Sequence, residues 1–196
     1  MQLPGRTGRS LNPIRWAPTV PQHHSLARMT TVAEVWLRGP LPGILPYLQP
    51  AAHAILQVRE DVEPVVALLT EAQLWVRPQG TAAIGFHLLH LTGSLDRLLA
   101  YSRGESLSPE QLKALAREKS AYEDRPSRVT LMTDLSQAID QALLYFKSLA
   151  PASLLLPREV GRKKLPSNTL GLIFHAAEHA SRHAGQIVTL GPIVRG

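Results

Sequence analysis

Apolar residues recur at three- and four-residue spacing in several long stretches of this chain, and that pattern confines it to helices packed around a common core. Ile84, Leu88, Leu91, Leu95, Leu98 and Leu99 mark one inward face, and Leu135, Ala138, Ala142, Leu143 and Phe146 mark another. A first helix is predicted after Pro50, kinked or split in two at Pro64. The last runs from a cap at Ser167 or Asn168 to a stop at Gly191. Thr81 is expected to cap the second long helix, Gly104 to end it, and Thr133 to cap the third. Between them, SPEQ at 108–111 reads as a capping box opening a short, mostly solvated helix. Prolines make 39–50 irregular, and 151–166 reads as a loop holding Arg158, Arg162, Lys163 and Lys164, a solvated basic run. Only 188–190 and 192–195 have any claim to be strands. The expected fold is all-α, a four-helix bundle with one short extra helix.

The 196 residues suit one domain, and 44% hydrophobic content supports a genuine core. There is no cysteine, which excludes disulfides, thiolate metal ligands and a cysteine nucleophile. The formal charge of +6 is unevenly spread: residues 1–28 carry four arginines and no acid, leaving +2 for everything after them. So balanced a folded part gives no phosphate-tracking footprint, and no nucleic-acid partner is expected. Residues 1–28 read as a disordered leader, or as an upstream mis-start before Met29, with the folded domain spanning 29–196. No stretch approaches the roughly 20 apolar residues that cross a bilayer, and no apolar segment follows the N-terminal arginines as a secretory signal requires. A cytoplasmic protein with no membrane partner is expected.

Five of the eight histidines fall in two places: His87 and His90 in the second long helix, and His175, His179 and His183 in the last. Residues four apart on a helix lie one above the other, about 6 Å along the axis, so an H-x-x-x-H pair can aim two imidazoles at one ion. Each step of four turns the direction by about 40°, so 175, 179 and 183 cannot all serve equally, and the pairs 175/179 and 179/183 both stand. A third histidine from a facing helix completes three ligands and leaves coordination positions open, the catalytic pattern for zinc. The plainer alternative is a row of polar side chains on a half-exposed face. HExxH is absent, since Glu178 directly precedes His179 and points about 100° away. The Glu-x-x-His pairs of di-iron bundles are absent too.

The segment IGFHLLHLTGSLDRLL, followed some ninety residues later by HAAEHASRHAGQIV, resembles the DinB/YfiT-like superfamily of metal-dependent enzymes, over roughly residues 40–190. The resemblance implies a four-helix bundle with one histidine from the second helix and an H-x-x-x-H pair from the last. Residue by residue it makes His90 the second-helix ligand, His179 and His183 the chelating pair, and Gln186 the family's glutamine one turn on. His87 and His175 fall outside the triad as supporting or pocket-lining groups, or as ordinary core and surface residues. It further implies a divalent ion (zinc, nickel or iron), a small-molecule substrate, and either hydrolysis or transfer of a low-molecular-weight thiol onto an electrophile. Glu178 and Asp96 are both poorly placed as a general base, which favours thiol transfer, where the metal supplies the thiolate. The contrasting expectation is a non-enzymatic, stress-linked bundle that binds metal or dimerises. A homodimer fits either reading.

Overall fold

The computed structural model describes residues 33–196. The leader at 1–28 and the alternative start at Met29 lie outside the described residues. Short 3-10 turns at Val35–Arg38 and Pro46–Leu48 lead into α1 (Gln49–Ala67) and the single turn α2 (Glu71–Leu74). Next come α3 (Ile84–Arg103), α4 (Pro109–Arg117), the short α5 (Ala121–Asp124) and α6 (Arg128–Ser148). A hairpin of β1 (Pro157–Val160) and β2 (Leu165–Asn168) then feeds α7 (Thr169–Arg195). The four long helices form a ring: α7 packs against α3 and α1, and α6 packs against the same two from the other side. The expected helical bundle is the architecture observed.

The core follows from the apolar spacing. Ile55, Val58, Val62 and Val66 point inward from α1, Leu88, Leu91 and Leu95 from α3, and Leu135, Ile139 and Phe146 from α6. On its buried face α7 contributes mostly small residues, Ala176, Ala177, Ala180 and Ala184, which leave little side-chain bulk between it and α3 and α1. Gly191 serves the same end. A Cβ there would collide with the Val65 side chain, so this glycine marks close packing of α7 on α1.

Several local expectations are corrected. Gly191 does not stop the last helix, which continues through Pro192 to Arg195 and absorbs both segments with a claim to be strands. The strands are instead at 157–168, paired antiparallel with Val160 opposite Leu165. The tight turn between them uses positive φ at Gly161 and Lys164. In this hairpin Arg158 is not simply solvated: its Nε donates to the Ser102 carbonyl at 2.7 Å and ties the hairpin to the end of α3. Thr81 donates its hydroxyl to the Pro78 carbonyl, and the N-cap position of α3 belongs to Ala83. Thr133 is interior, because α6 begins at Arg128 with Ser127 accepting from the Thr130 amide and Leu131 already buried. Pro64 does not split α1, which runs on to Ala67, before a Thr70/Gln73 capping box opens α2. The helix continues only three residues beyond this proline.

Gly104 ends α3 in the left-handed conformation (φ 82°), and Asn168 caps α7 by accepting from the Gly171 amide. The Ser108/Gln111 capping box opens α4, which buries no residue of its own. Its N-terminal end is held by Gln111, whose Nε2 donates to Asp96 on α3 at 2.9 Å.

Candidate metal centre

The helices α3 and α7 make the most extensive contact in the bundle, and the histidines lie along it. His90 from α3 meets His179 and His183 from α7, one helical turn apart, with one nitrogen from each ring lying within 4.8 Å of the other two. Nε2 of His90 is 3.2 Å from Nε2 of His179. A tetrahedral ion with Zn–N bonds of about 2.0–2.1 Å separates its ligands by about 3.3–3.4 Å, so this edge already has the right length. The three rings are half-buried. They could hold one divalent ion.

Two further histidines are placed differently. His87 is buried, and its Nδ1 lies 3.0 Å from Nδ1 of His183, which leaves Nε2 of His183 as that ring's uncommitted nitrogen. His87 thus touches His183 without joining the group that converges. His175 faces solvent with its Nδ1 3.4 Å from Glu178, outside the cluster. Glu178 itself is paired with Arg182 one turn on at 2.6 Å. Gln186 is exposed and borders a recess of about 540 Å³ beside His87 and Arg182. Asp96 is engaged by Gln111.

Glu118, just past the end of α4, escaped the sequence reading. One carboxylate oxygen is 2.7 Å from Nδ1 of His90, and the other is 2.7 Å from a guanidinium nitrogen of Arg97. Its side chain is only 10% exposed, in a stretch that the sequence presents as solvated. Gly93 lies directly beneath the pair: a Cβ there would sit 2.7 Å from Arg97 Nη1 and 3.0 Å from Glu118 Oε1. An Arg-Glu step in a charged helix carries no mark of this role, and only the glycine within LTGSL hints that something passes close by.

The electrostatics suit a cation. Burial, and then the neighbouring His90, His179 and His87, push His183 down to about 4. Burial and His90 lower His179 and His87 as well. These rings are therefore neutral near pH 7 and offer lone pairs, the state that metal binding requires. Burial pushes Glu118 up, but the bond with His90 and the Arg97 guanidinium beside it outweigh this and hold the carboxyl below its ordinary range. Phe86 stacks on His90, with planes 3° apart and centroids at 5.8 Å, and on its other neighbour Tyr122 at 5.9 Å. Together they form an apolar wall beside the His90 imidazole.

A profile of the DinB superfamily matches residues 54–187. No curated protein matches the chain. A conserved protein from Enterococcus faecalis, known from its crystal structure, superposes with a TM-score of 0.61 at 18% identity, covering 76% of this chain and 97% of its own. The colibactin self-resistance protein ClbS, solved in complex with a dsDNA, gives 0.50 at 14% identity, covering 71% and 92%. At such identities these two speak for the fold alone. The profile runs from the first long helix into the last and takes in well over half of the sequence, and this chain therefore belongs to the DinB superfamily.

Proposed function

We propose that this chain is a metal-dependent transferase that joins a small thiol to an electrophilic small molecule, with one divalent ion held by His90, His179 and His183. The observation that carries this reading is the convergence of three imidazoles from two facing helices with no fourth protein ligand in the group, among the described residues. A structural zinc site is usually closed by four protein ligands, so three point to a site that admits a substrate. When bound, the ion would supply Lewis acidity, activating a thiol, a carbonyl or a water. Imidazole ligands suit zinc, nickel and iron alike. Around it, His87 steadies the His183 ring, and Phe86 shields one face of His90.

Thiol transfer is favoured over hydrolysis by how the nearby carboxylates are used. Glu118 is committed to His90 and Arg97, Glu178 to Arg182 and His175, and Asp96 to Gln111. None is free to take a proton from an attacking water, whereas a thiol, far more acidic than water, can give its proton to solvent once the ion binds its sulfur. The test is a panel of small thiols with chlorinated and epoxide electrophiles, run with chelator-treated protein reloaded with zinc, nickel or iron. Thiol-dependent loss of an electrophile, absent in His179→Ala, is the expected result. Loss without thiol would make the protein a hydrolase. A metal-loaded protein inert across the panel would leave the non-enzymatic metal-binding bundle.

ClbS is solved with dsDNA, which makes nucleic acid the contrasting partner. The charge of this chain beyond residue 28 is only +2, and in the basic hairpin Arg158 is tied to Ser102 and Lys164 to Glu159. We therefore expect no saturable binding of a short duplex at about 0.15 M salt, where nonspecific contacts are already weak. Fluorescence anisotropy reads this directly.

A further inference from the structure

The sequence motif around Gly93 and the buried carboxylate at position 118 have one explanation between them. We infer that Glu118 positions His90 for the ion, with Arg97 holding the carboxylate and Gly93 keeping the space through which the two meet. This inference rests on the metal reading above and adds the residues that orient one of its ligands.

The geometry runs from backbone to ring. Gly93 lies one turn after His90 on the same helix, so its missing Cβ opens a slot on α3 directly beside the ligand. Arg97 lies one turn further, is 8% exposed, and reaches back over Gly93. Glu118 enters the slot from the end of α4 and divides its oxygens between the two α3 side chains, 2.7 Å to each. An imidazole that donates Nδ1–H to a carboxylate is fixed in tautomer and in rotation, and its Nε2 lone pair is left for a metal. That nitrogen, Nε2 of His90, is the one lying 3.2 Å from His179. The guanidinium does not complete an in-plane hydrogen bond, since Nη1 of Arg97 and Oε1 of Glu118 are both buried without such a partner. Arg97 therefore acts on the carboxylate mainly by charge and contact, and Glu118 keeps its directed bond for His90.

Glu118 also anchors the C-terminal end of α4, so a merely structural role must be separated from positioning. Gln111→Ala cuts the other anchor of the same helix, at Asp96, together with the reciprocal half of its capping box, and leaves the Glu118 side chain unaltered. The experiment measures zinc affinity by chelator competition for wild type, Glu118→Ala, Glu118→Gln, Gly93→Ala and Gln111→Ala, and the His90 tautomer by nitrogen NMR on metal-free protein at pH 8. Glu118→Ala is expected to weaken zinc binding about 10- to 100-fold, the usual effect of losing such a partner, and to release the Nδ1–H tautomer. Gly93→Ala should weaken binding in the same direction. Glu118→Gln keeps an oxygen acceptor and should hold the tautomer while losing part of the affinity. Gln111→Ala should leave both readouts near wild type.

Equal zinc affinity and an unchanged tautomer in Glu118→Ala would overturn the inference, as would an equal loss of affinity in Gln111→Ala. Wild type that binds no zinc, nickel or iron would overturn the metal reading instead. The tautomer in Glu118→Ala would then still decide whether this carboxylate orients His90.

Discussion

The two helices α1 and α6 and the two helices α3 and α7 solve different problems. Every buried side chain of α1 and α6 is apolar, from Ala51 to Val66 and from Leu131 to Phe146. All five buried polar residues, His87, Ser94, Arg97, Ser102 and Thr169, lie on α3 or α7 among the described residues. The first pair supplies burial that is almost wholly apolar, Nε of Arg59 being a buried polar atom without a partner. The second gives up part of that burial to histidines, of which His87, His179 and His183 have their charged forms disfavoured by burial and by neighbouring histidines. Stability should therefore be lodged mainly on the α1/α6 side, and ligand-dependent stability along the seam of α3 and α7.

The largest effect should come from Phe146→Ala, which empties the biggest side chain of the fully buried set. A cost of about 3–5 kcal/mol in chemical denaturation is expected. A cost below about 1 kcal/mol would mean that the apolar pair does not carry the fold. Next, metal at about 100 times its dissociation constant should stabilise wild type by about 2.7 kcal/mol. His179→Ala should lose that gain while its metal-free form unfolds near the metal-free wild type, as thermal melts with and without chelator will read.

The third effect is pH dependence of the metal-free protein. His183 is pushed down to about 4 in the fold, against about 6.5 for an unfolded histidine. Below about 6.5 the unfolded chain takes up a proton that the folded one refuses, so stability rises with pH across this window. Stability present at neutral pH is thus lost as pH falls toward about 4, and His87 and His179 act in the same sense. Solvent reaching these half-buried rings reduces the size of the effect without changing its sign. Denaturation of His183→Asn over the same range should show a shallower slope. The smallest effect is Asp140→Ala, which removes the Arg59–Asp140 pair between α1 and α6, with Asp140 largely exposed. About 0.5 kcal/mol is expected.

The same division governs what could be read from the sequence. The helices were legible because a buried face repeats with the helical period, and Gly104 and Ser108 were legible because their roles are local. The histidines of α3 and α7 were conspicuous because four-residue spacing has direct geometric meaning. Gly191 misled because a glycine near a helix end looks like a stop, while its actual role depends on Val65, more than a hundred residues away. The hairpin at 157–168 was missed because its strands are four residues each, contain proline and arginine, and bury no residue. Glu118 was missed because its partners, His90 and Arg97, lie on another helix and nothing near it in the chain marks it as buried.

The central claim is that His90, His179 and His183 together hold one divalent ion, and elemental analysis of purified, untagged protein tests it most directly. Wild type should carry about one zinc, nickel or iron per chain after loading and desalting, and His179→Ala should carry none. Wild type without metal, or His179→Ala retaining a full complement, would contradict the account.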